Sequence, residues 1–551
     1  VVTVDTVTHN PAVAMFLDRA ELTGDELMVD SRDAQQIVEL CRALEGVPLA
    51  LELAAGRVSA FGVTDLLGLL DRRLDVFGDH SQGREHRHRT LRSTVEWSYD
   101  LLEPDERRLL RSLAVFPGGV TIETIDWLNE GLGLTMRGLD VVARLVDASL
   151  LVRRPTRSES RYTQLETLRA FGLEELEALG ETDEVRDIAA AFTLDLLARA
   201  DVGLASAEEG LWSERVRRGF ANIQSTRQFL AEHDRADELL EISRRLAGWA
   251  RFRDATDVWA WADDLLERFA DPDPRYATAL AIHAQAAWRR GDIAGAIDDA
   301  QAALSRDPDD WTRDQALSEL GPAIGFGGDL AGSVRVFVAR EALRSDAWSL
   351  GAAGVVVAYM GDVATARNYV AKAHETVRSI PNPSMVAWSE YCTAEIENTV
   401  GSADLALLDR AIERARDVDA TFIVGVAGVT RASVQAGRGD VAGAAQSYAD
   451  LIRHWLRSGS WTQQWTTLRH VAELVESSDP KTALAILRTA DSDQFSPSVV
   501  VDASAERLSA LLERLEQRVG NEVGPVPRRV DVADMALSAL SALSALSDPT
   551  A

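Results

Sequence analysis

The sequence predicts a mostly α-helical fold, in which a helical subdomain and a winged helix are followed by an α-solenoid. Two observations carry this prediction. Apolar residues recur at spacings of three and four along most of the chain, and a Gly-Asp turn returns four times between residues 291 and 439, with a weaker copy at Gly401. A chain of 551 residues exceeds one core, so several domains are expected.

Residues 1–75 read as the helical subdomain. The segment "RDAQQIVELCRALEGVPLALELAAGRV" places Ile37, Leu40, Cys41 and Leu44 on one helical face. It is then broken at Gly46-Val47-Pro48, because a residue ahead of proline is driven out of the helical region. "VTDLLGLLDRRLDVF" follows as a further helix, with Thr64 or Asp65 placed to cap it.

Residues 76–184 read as the winged helix. "TLRSTVEWSYDLL" and "RRLLRSLAVF" give two helices, with Pro104 in the first turn of the second and Asp105 and Glu106 at its positive end. "VTIETIDWL" and "GLDVVARLVDASLL" give two more, the last running into a strand whose partner is "SRYTQL". Leu91, Val95, Trp97, Leu101 and Leu102 form its expected packed face.

Residues 185–520 read as the solenoid. "AAWRRGDIAGAIDDAQAALSRDP" sets Gly291, Ala296, Ala303 and Pro308 at relative positions 0, 5, 12 and 17, the spacing of the second half of a tetratricopeptide repeat. The turn recurs at Gly328, Gly361 and Gly439, with a weaker copy at Gly401. Steps of 37, 33, 40 and 38 residues make these degenerate repeats. Residues 521–551 read as a linker and a low-complexity, disordered tail, since leucines every three residues drift around a helix.

Composition narrows function. A formal net charge of −29 opposes a chain that wraps nucleic acid through its global field. Positive charge is almost all arginine, lysine occurring only at 372 and 481. Two cysteines, Cys41 and Cys392, far apart in helical segments, read as buried thiols of a cytoplasmic protein. Neither a signal peptide nor a membrane span is expected.

The basic run "REHRHRTLR" raises two site readings. A nucleic-acid contact through Arg87, Arg89 and Arg92 has four arginines against Glu85 locally. Over residues 71–111 nine arginines meet nine acids, leaving no excess. A metal site at His80, His86 and His88 lacks a ligand spacing, and no metal is expected. The tryptophans, including Trp259, Trp261, Trp461 and Trp465, are expected in the core, with a ligand groove as the alternative.

"CRALEGVPLALELAAGRV", "HRTLRSTVEWSYDLLEPDERRLLRSLAVFPGGVTIETI" and "RYTQLETLRAFGLEEL" together resemble the C-terminal half of the NB-ARC, or STAND-type, signalling ATPases of actinobacteria. In that family a P-loop core precedes the helical subdomain, winged helix and tetratricopeptide-like array, often beside a cyclase-like or LuxR-type DNA-binding domain. The resemblance implies that Gly46, Pro48 and Leu49 form a nucleotide-contacting GxP motif. ATP or ADP would bind only with a core supplied by a longer chain or a partner. The phosphate-sensing histidine of some members falls at Leu165 and Glu166 here. A Gly-Lys dipeptide occurs nowhere, so a P-loop is missing and hydrolysis is not expected. The resemblance implies a non-enzymatic regulatory or sensor portion of a transcriptional regulator, binding a protein or small effector on its repeats. The alternatives are DNA binding through the winged helix and residual nucleotide binding. The array's effector and its oligomeric state are left open.

Overall fold

The computed structural model describes residues 10–21, 31–44, 48–58, 62–68, 92, 94–155, 159–493, 505–522, 524 and 526–546. It is mostly α-helical, and the chain divides into two compact units. Residues 1–195 with 218–234 form one, and residues 196–217 with 235–551 form the other.

The first unit begins with helices α1 (Pro11–Glu21), α2 (Ser31–Ala43) and α3 (Pro48–Ala55). Val13, Phe16, Leu40, Leu44, Leu51 and Ala54 close a small core that also takes Leu66 and Trp97. The 3.6-residue spacing of these positions is what lets three short helices bury one face each. A second core gathers α4 (Pro104–Ser112), α5 (Ile122–Gly131), α6 (Gly138–Asp147) and a β-hairpin. Its innermost residues include Leu109, Ile125, Leu128, Val141 and Leu145.

Helix α4 starts where its sequence directs. Pro104 occupies the first turn, and Glu103 and Glu106 form a reciprocal capping box. The Asp105 carboxylate accepts from the backbone N–H groups of Thr135 and Met136 and from the Thr135 hydroxyl, fixing the loop into α6. Arg111 donates twice to Glu181, at 2.6 and 2.9 Å, and once to the Tyr99 hydroxyl.

The hairpin pairs β1 (Val152–Pro155) antiparallel with β2 (Ser160–Thr163), Val152 opposite Thr163. Val120 adds a single bridge to Tyr162. Gly119, at φ 73°, makes this possible, since a Cβ there would sit 2.6 Å from the Tyr162 carbonyl oxygen.

The second unit is an array of antiparallel helix pairs. Helix α7 (Glu166–Leu179) and the first part of α8 (Thr182–Leu204) belong to the first unit, α9 (Glu209–Glu232) has its start in the second unit and its end in the first, and the second unit goes on with α10 (Ala236–Ala250) and α11 (Thr256–Arg268). The five Gly turns then join α12 (Tyr276–Arg290) to α13 (Ile293–Leu304), α14 (Asp310–Phe326) to α15 (Leu330–Leu343), α16 (Ala347–Tyr359) to α17 (Val363–Ser379), α18 (Pro383–Asn398) to α19 (Leu405–Asp417) and α20 (Thr421–Gly437) to α21 (Val441–Ser458). A further pair, α22 (Trp461–Val475) and α23 (Pro480–Ser492), lacks the glycine, and α24 (Ala505–Val519) follows.

Gly291, Gly328, Gly361, Gly401 and Gly439 have φ of 95, 109, 91, 71 and 85°. Glycine is needed because a side chain at such φ is strained. The aspartate after four of them caps the next helix, Asp292 on Gly295, Asp329 on Gly332, Asp362 on Thr365 and Asp440 on Gly443. Asp404 caps α19 three residues after Gly401. Ala296, Ser333, Ala366 and Ala444, five residues after their glycines, are fully buried where paired helices approach.

The tail departs from expectation. Residues 529–546, expected to be disordered, form helix α25 (Arg529–Leu546), packed on α21, α22 and α23. The period-three leucines concealed a stripe of helical spacing. Val532, Ala533, Ala536, Ala539 and Leu540 are the buried positions, and they join the main core of the array.

Bonds between residues far apart in sequence tie the array together. Glu209 and Arg253, both 2% exposed, form an ion pair of 2.8 Å. Glu209 also accepts from the Ser384 N–H and hydroxyl, 175 positions away, and Arg253 donates to the Val418 carbonyl. The Asn382 amide donates to the carbonyls of Leu204 and Ser206, the Phe422 N–H to Phe252, and the Thr462 hydroxyl to Trp288.

Glu209→Ala leaves the Arg253 guanidinium buried without its carboxylate and is expected to cost about 3–5 kcal/mol. Urea unfolding followed by tryptophan fluorescence measures this, and a loss below about 1 kcal/mol, the size of an exposed pair, would show that the pair anchors nothing.

His283 lies between Asp299, at 2.5 Å, and Asp263, at 3.1 Å. Burial lowers its pKa, but the Asp299 hydrogen bond and the charges of Asp299 and Asp263 outweigh burial and Arg290, so the net shift is upward from 6.5. Its contribution to stability is therefore fully present below pH about 6.5 and lost as pH rises through the raised value. The melting-temperature gap between the native protein and His283→Gln should be widest near pH 6 and narrow toward pH 9. A gap that grows with pH contradicts this.

Candidate functional site

Within the second unit the first helices of successive pairs line a cavity of about 970 Å³ of empty space, counted to include its opening to solvent. Each contributes residues spaced three or four apart, the period at which one helix face repeats. From α16 come Trp348, Ala352, Val355, Val356 and Tyr359, and from α18 Trp388, Tyr391, Glu395 and Asn398. Helix α20 gives Phe422, Val426, Val429, Thr430 and Ser433, and α22 gives Gln463, Thr466 and His470. Trp288, Phe326 and Phe337 complete the apolar side.

The aromatic rings pack against one another rather than standing separately. The Trp348 and Trp388 centroids are 4.4 Å apart, Trp388 and Tyr391 5.2 Å, and Trp288 and Phe326 stack at 6.1 Å. Trp388 Nε1–H donates to the Trp348 carbonyl and Trp288 Nε1–H to Glu319. Trp348 Nε1–H is buried with no acceptor among the described residues.

Glu395 brings a carboxylate into this setting. It is buried, and it accepts from the Tyr359 hydroxyl at 2.6 Å and from the Thr430 hydroxyl at 2.5 Å. Burial, reinforced by the Glu395 charge, pushes the Tyr391 hydroxyl well above its usual range and does the same to the Cys392 thiol. Both are therefore held protonated. Behind the wall, the Arg289 guanidinium lies 3.7 Å from the Phe422 ring centroid and 4.7 Å from that of Trp288. Burial pushes Arg289 down to about 9.

The residues singled out from sequence lie elsewhere. Gly46, Arg87, Arg89, His80, His86, His88 and Leu91 are outside the described residues. Pro48 opens α3 and is exposed, and Leu49 lies in the same helix. Arg92 is exposed and engaged by Glu96 at 2.9 Å and Glu174 at 2.8 Å. Leu165 caps α7, and Glu166 pairs with Arg169. Gly291, Gly328, Gly361 and Gly439 sit at the turns and only position the helices. Trp259, Trp261 and Trp465 are buried and Trp461 packs against the core, none of them lining the cavity.

The cavity residues were missed because their spacing is that of ordinary core. The missed signal was a Trp or Phe near the start of three successive first helices, at Trp348, Trp388 and Phe422. Among the described residues no group of three His, Cys, Asp or Glu could hold a metal, and no helix is long and apolar enough to cross a membrane.

No family model matches the chain. Over 285 residues, half of this chain, it is 30% identical to proteins of Mycobacterium tuberculosis and Mycobacterium bovis named "Putative HTH-type transcriptional regulator", covering 31% of their length. Over 178 residues it is 34% identical to an uncharacterized protein of Mycobacterium tuberculosis, covering 45% of it. The chain thus spans less than half the length of these relatives. A STAND protein with a tetratricopeptide repeat sensor from Pyrococcus horikoshii aligns with 96% of this chain and 72% of its own, at 13% identity and a TM-score of 0.38. That distance is too great to define fold or activity. The helical architecture and the regulator-like relatives agree with the resemblance to STAND-type regulators read from the sequence.

Proposed function

We propose that this chain is the sensor and regulatory portion of a STAND-type transcriptional regulator. The repeat array binds an effector in the aromatic cavity, and the hairpin-bearing unit is the winged helix that relays occupancy to an ATPase core on a longer chain or a partner. The observation that carries this reading is the cavity itself. A concave, mostly apolar space with a few convergent polar groups is how proteins hold small molecules. The 30% identity to mycobacterial proteins named as transcriptional regulators supports the regulatory side.

Relay requires that the effector favour one packing of the winged helix over another, since equal affinity for both shifts nothing. The chain itself is read as non-enzymatic, because no GxxxxGK[ST] motif occurs in it. Native mass spectrometry after incubation with the small-molecule extract of an actinobacterium tests the sensor reading. The native protein should retain a ligand that Trp388→Ala loses. Bare masses for both proteins, with unchanged melting temperatures, would end the reading.

DNA contact is the second reading, and it rests on the hairpin rather than on Arg92. Arg153 and Arg154 are exposed on β1, and their side chains meet only the Ser160 and Thr163 hydroxyls among the described residues. If the wing touches phosphate, fluorescence anisotropy at low salt should show duplex affinity that weakens in Arg153→Ala/Arg154→Ala, with the log–log salt slope reduced by about 2. Equal affinity for both proteins would exclude the wing.

A further inference from the structure

We propose that the effector cavity takes a neutral, flat ring compound that carries a hydrogen-bond donor and an acceptor side by side on one edge, as a lactam or a cyclic imide does. This rests on the reading of the repeat array as a sensor and goes on to name its ligand class.

The Gln463 side chain is the first argument. It lines the cavity from the first turn of α22 and is 6% exposed, yet its carboxamide hydrogen-bonds to no other described residue. A buried amide without partners is costly, and native structures leave few of them. The carboxamide presents an acceptor oxygen and donor N–H groups in one plane. A lactam edge presents the same two groups in reverse, so two parallel bonds satisfy both molecules.

The second argument is placement. Gln463, Thr466 and His470 follow one another at three and four positions along α22, and all three line the cavity. The Thr462 hydroxyl donates to the Trp288 carbonyl, seating this turn of α22 beside another lining residue. Thr466 commits its own hydroxyl to the Thr462 carbonyl. The stripe therefore leaves the Gln463 amide as its open donor and acceptor pair.

The third argument is charge. Glu395 accepts from the Tyr359 and Thr430 hydroxyls, and His470 stacks on Tyr448 and lies 3.9 Å from Glu473. The protein thus answers the ionisable groups of the wall with its own residues. No arginine or lysine is among the lining residues. A cation would compete with hydroxyls already in place, and an anion would share a mostly apolar space with the Glu395 carboxylate. A neutral ligand disturbs neither.

The aromatic wall completes the fit. Trp348, Trp388, Tyr391 and Phe422 give the apolar faces that cover a flat body, and the polar edge is left to fix its orientation.

Four probes with a two-ring body separate the possibilities when titrated into the full chain by calorimetry: 2-quinolinone, its N-methyl derivative, 2-naphthoate and 2-naphthylmethylamine. The N-methyl compound keeps the ring and the carbonyl but lacks the N–H. The quinolinone is expected to bind at least about tenfold more tightly than it and than either charged probe. Gln463→Leu keeps the bulk and removes the amide. It should weaken the quinolinone about tenfold and leave the N-methyl compound's affinity unchanged. The comparison among probes on the native protein stands even if this variant folds poorly. Equal affinity for the two quinolinones overturns the paired edge, and tightest binding of a charged probe overturns neutrality. A preference that survives in Gln463→Leu overturns the role of that amide. If no probe binds but the native protein still retains an extract ligand that Trp388→Ala loses, the ligand class is wrong and the sensor reading survives. If that ligand is absent too, both fall.

Discussion

The repeat array depends on one buried ion pair. Helical repeats ordinarily touch only their neighbours, so that stability is a sum of adjacent interfaces. Here Glu209 and Arg253 are sealed from solvent and joined to the start of α18 through Ser384 and to the end of α19 through Val418. An ion pair so buried gains from mutual attraction only if its remaining hydrogen-bonding capacity is met, and these backbone and hydroxyl partners meet it. The consequence is a constraint that neighbour-to-neighbour packing cannot supply: early and late helices hold fixed positions. The cavity walls, drawn from helices between residues 288 and 470, inherit that fixity.

Arginine is suited to this role. With lysine at only two positions, the chain commits its positive charge to a planar fork that can satisfy several acceptors at once. Arg340 bridges Asp314 and Asp346, and Arg111 takes Glu181 with two parallel bonds while also reaching Tyr99. Arg251 and Arg289 share the vicinity of Glu319, and burial lowers the pKa of both.

Much of the architecture was legible in the sequence because it is local. The Gly-Asp turns state their own conformation, since only glycine accepts the positive φ and aspartate caps the next helix. Pro104 and the acidic residues after it announced α4 in the same way. What was not legible was non-local. Nothing in the residues around Glu209 indicates a partner at Ser384. Period-three leucines concealed the buried Val532, Ala533, Ala536 and Leu540 of α25, because attention to the largest residue missed the small ones that set the stripe. The candidate site was hidden for a related reason. Trp348, Trp388 and Phe422 each read as core within their own helix, and only the packing of α16, α18 and α20 against one another brings their rings around a common space.

The closeness of the indoles at that space has a spectroscopic consequence. Two transition dipoles separated by the 4.4 Å between the Trp348 and Trp388 rings, and held at a fixed tilt of 33°, couple electronically. Such a pair gives an exciton signature in circular dichroism that isolated tryptophans do not. Any molecule that parts or turns these rings changes that signature, so the cavity carries an optical reporter of its own occupancy, with no label attached.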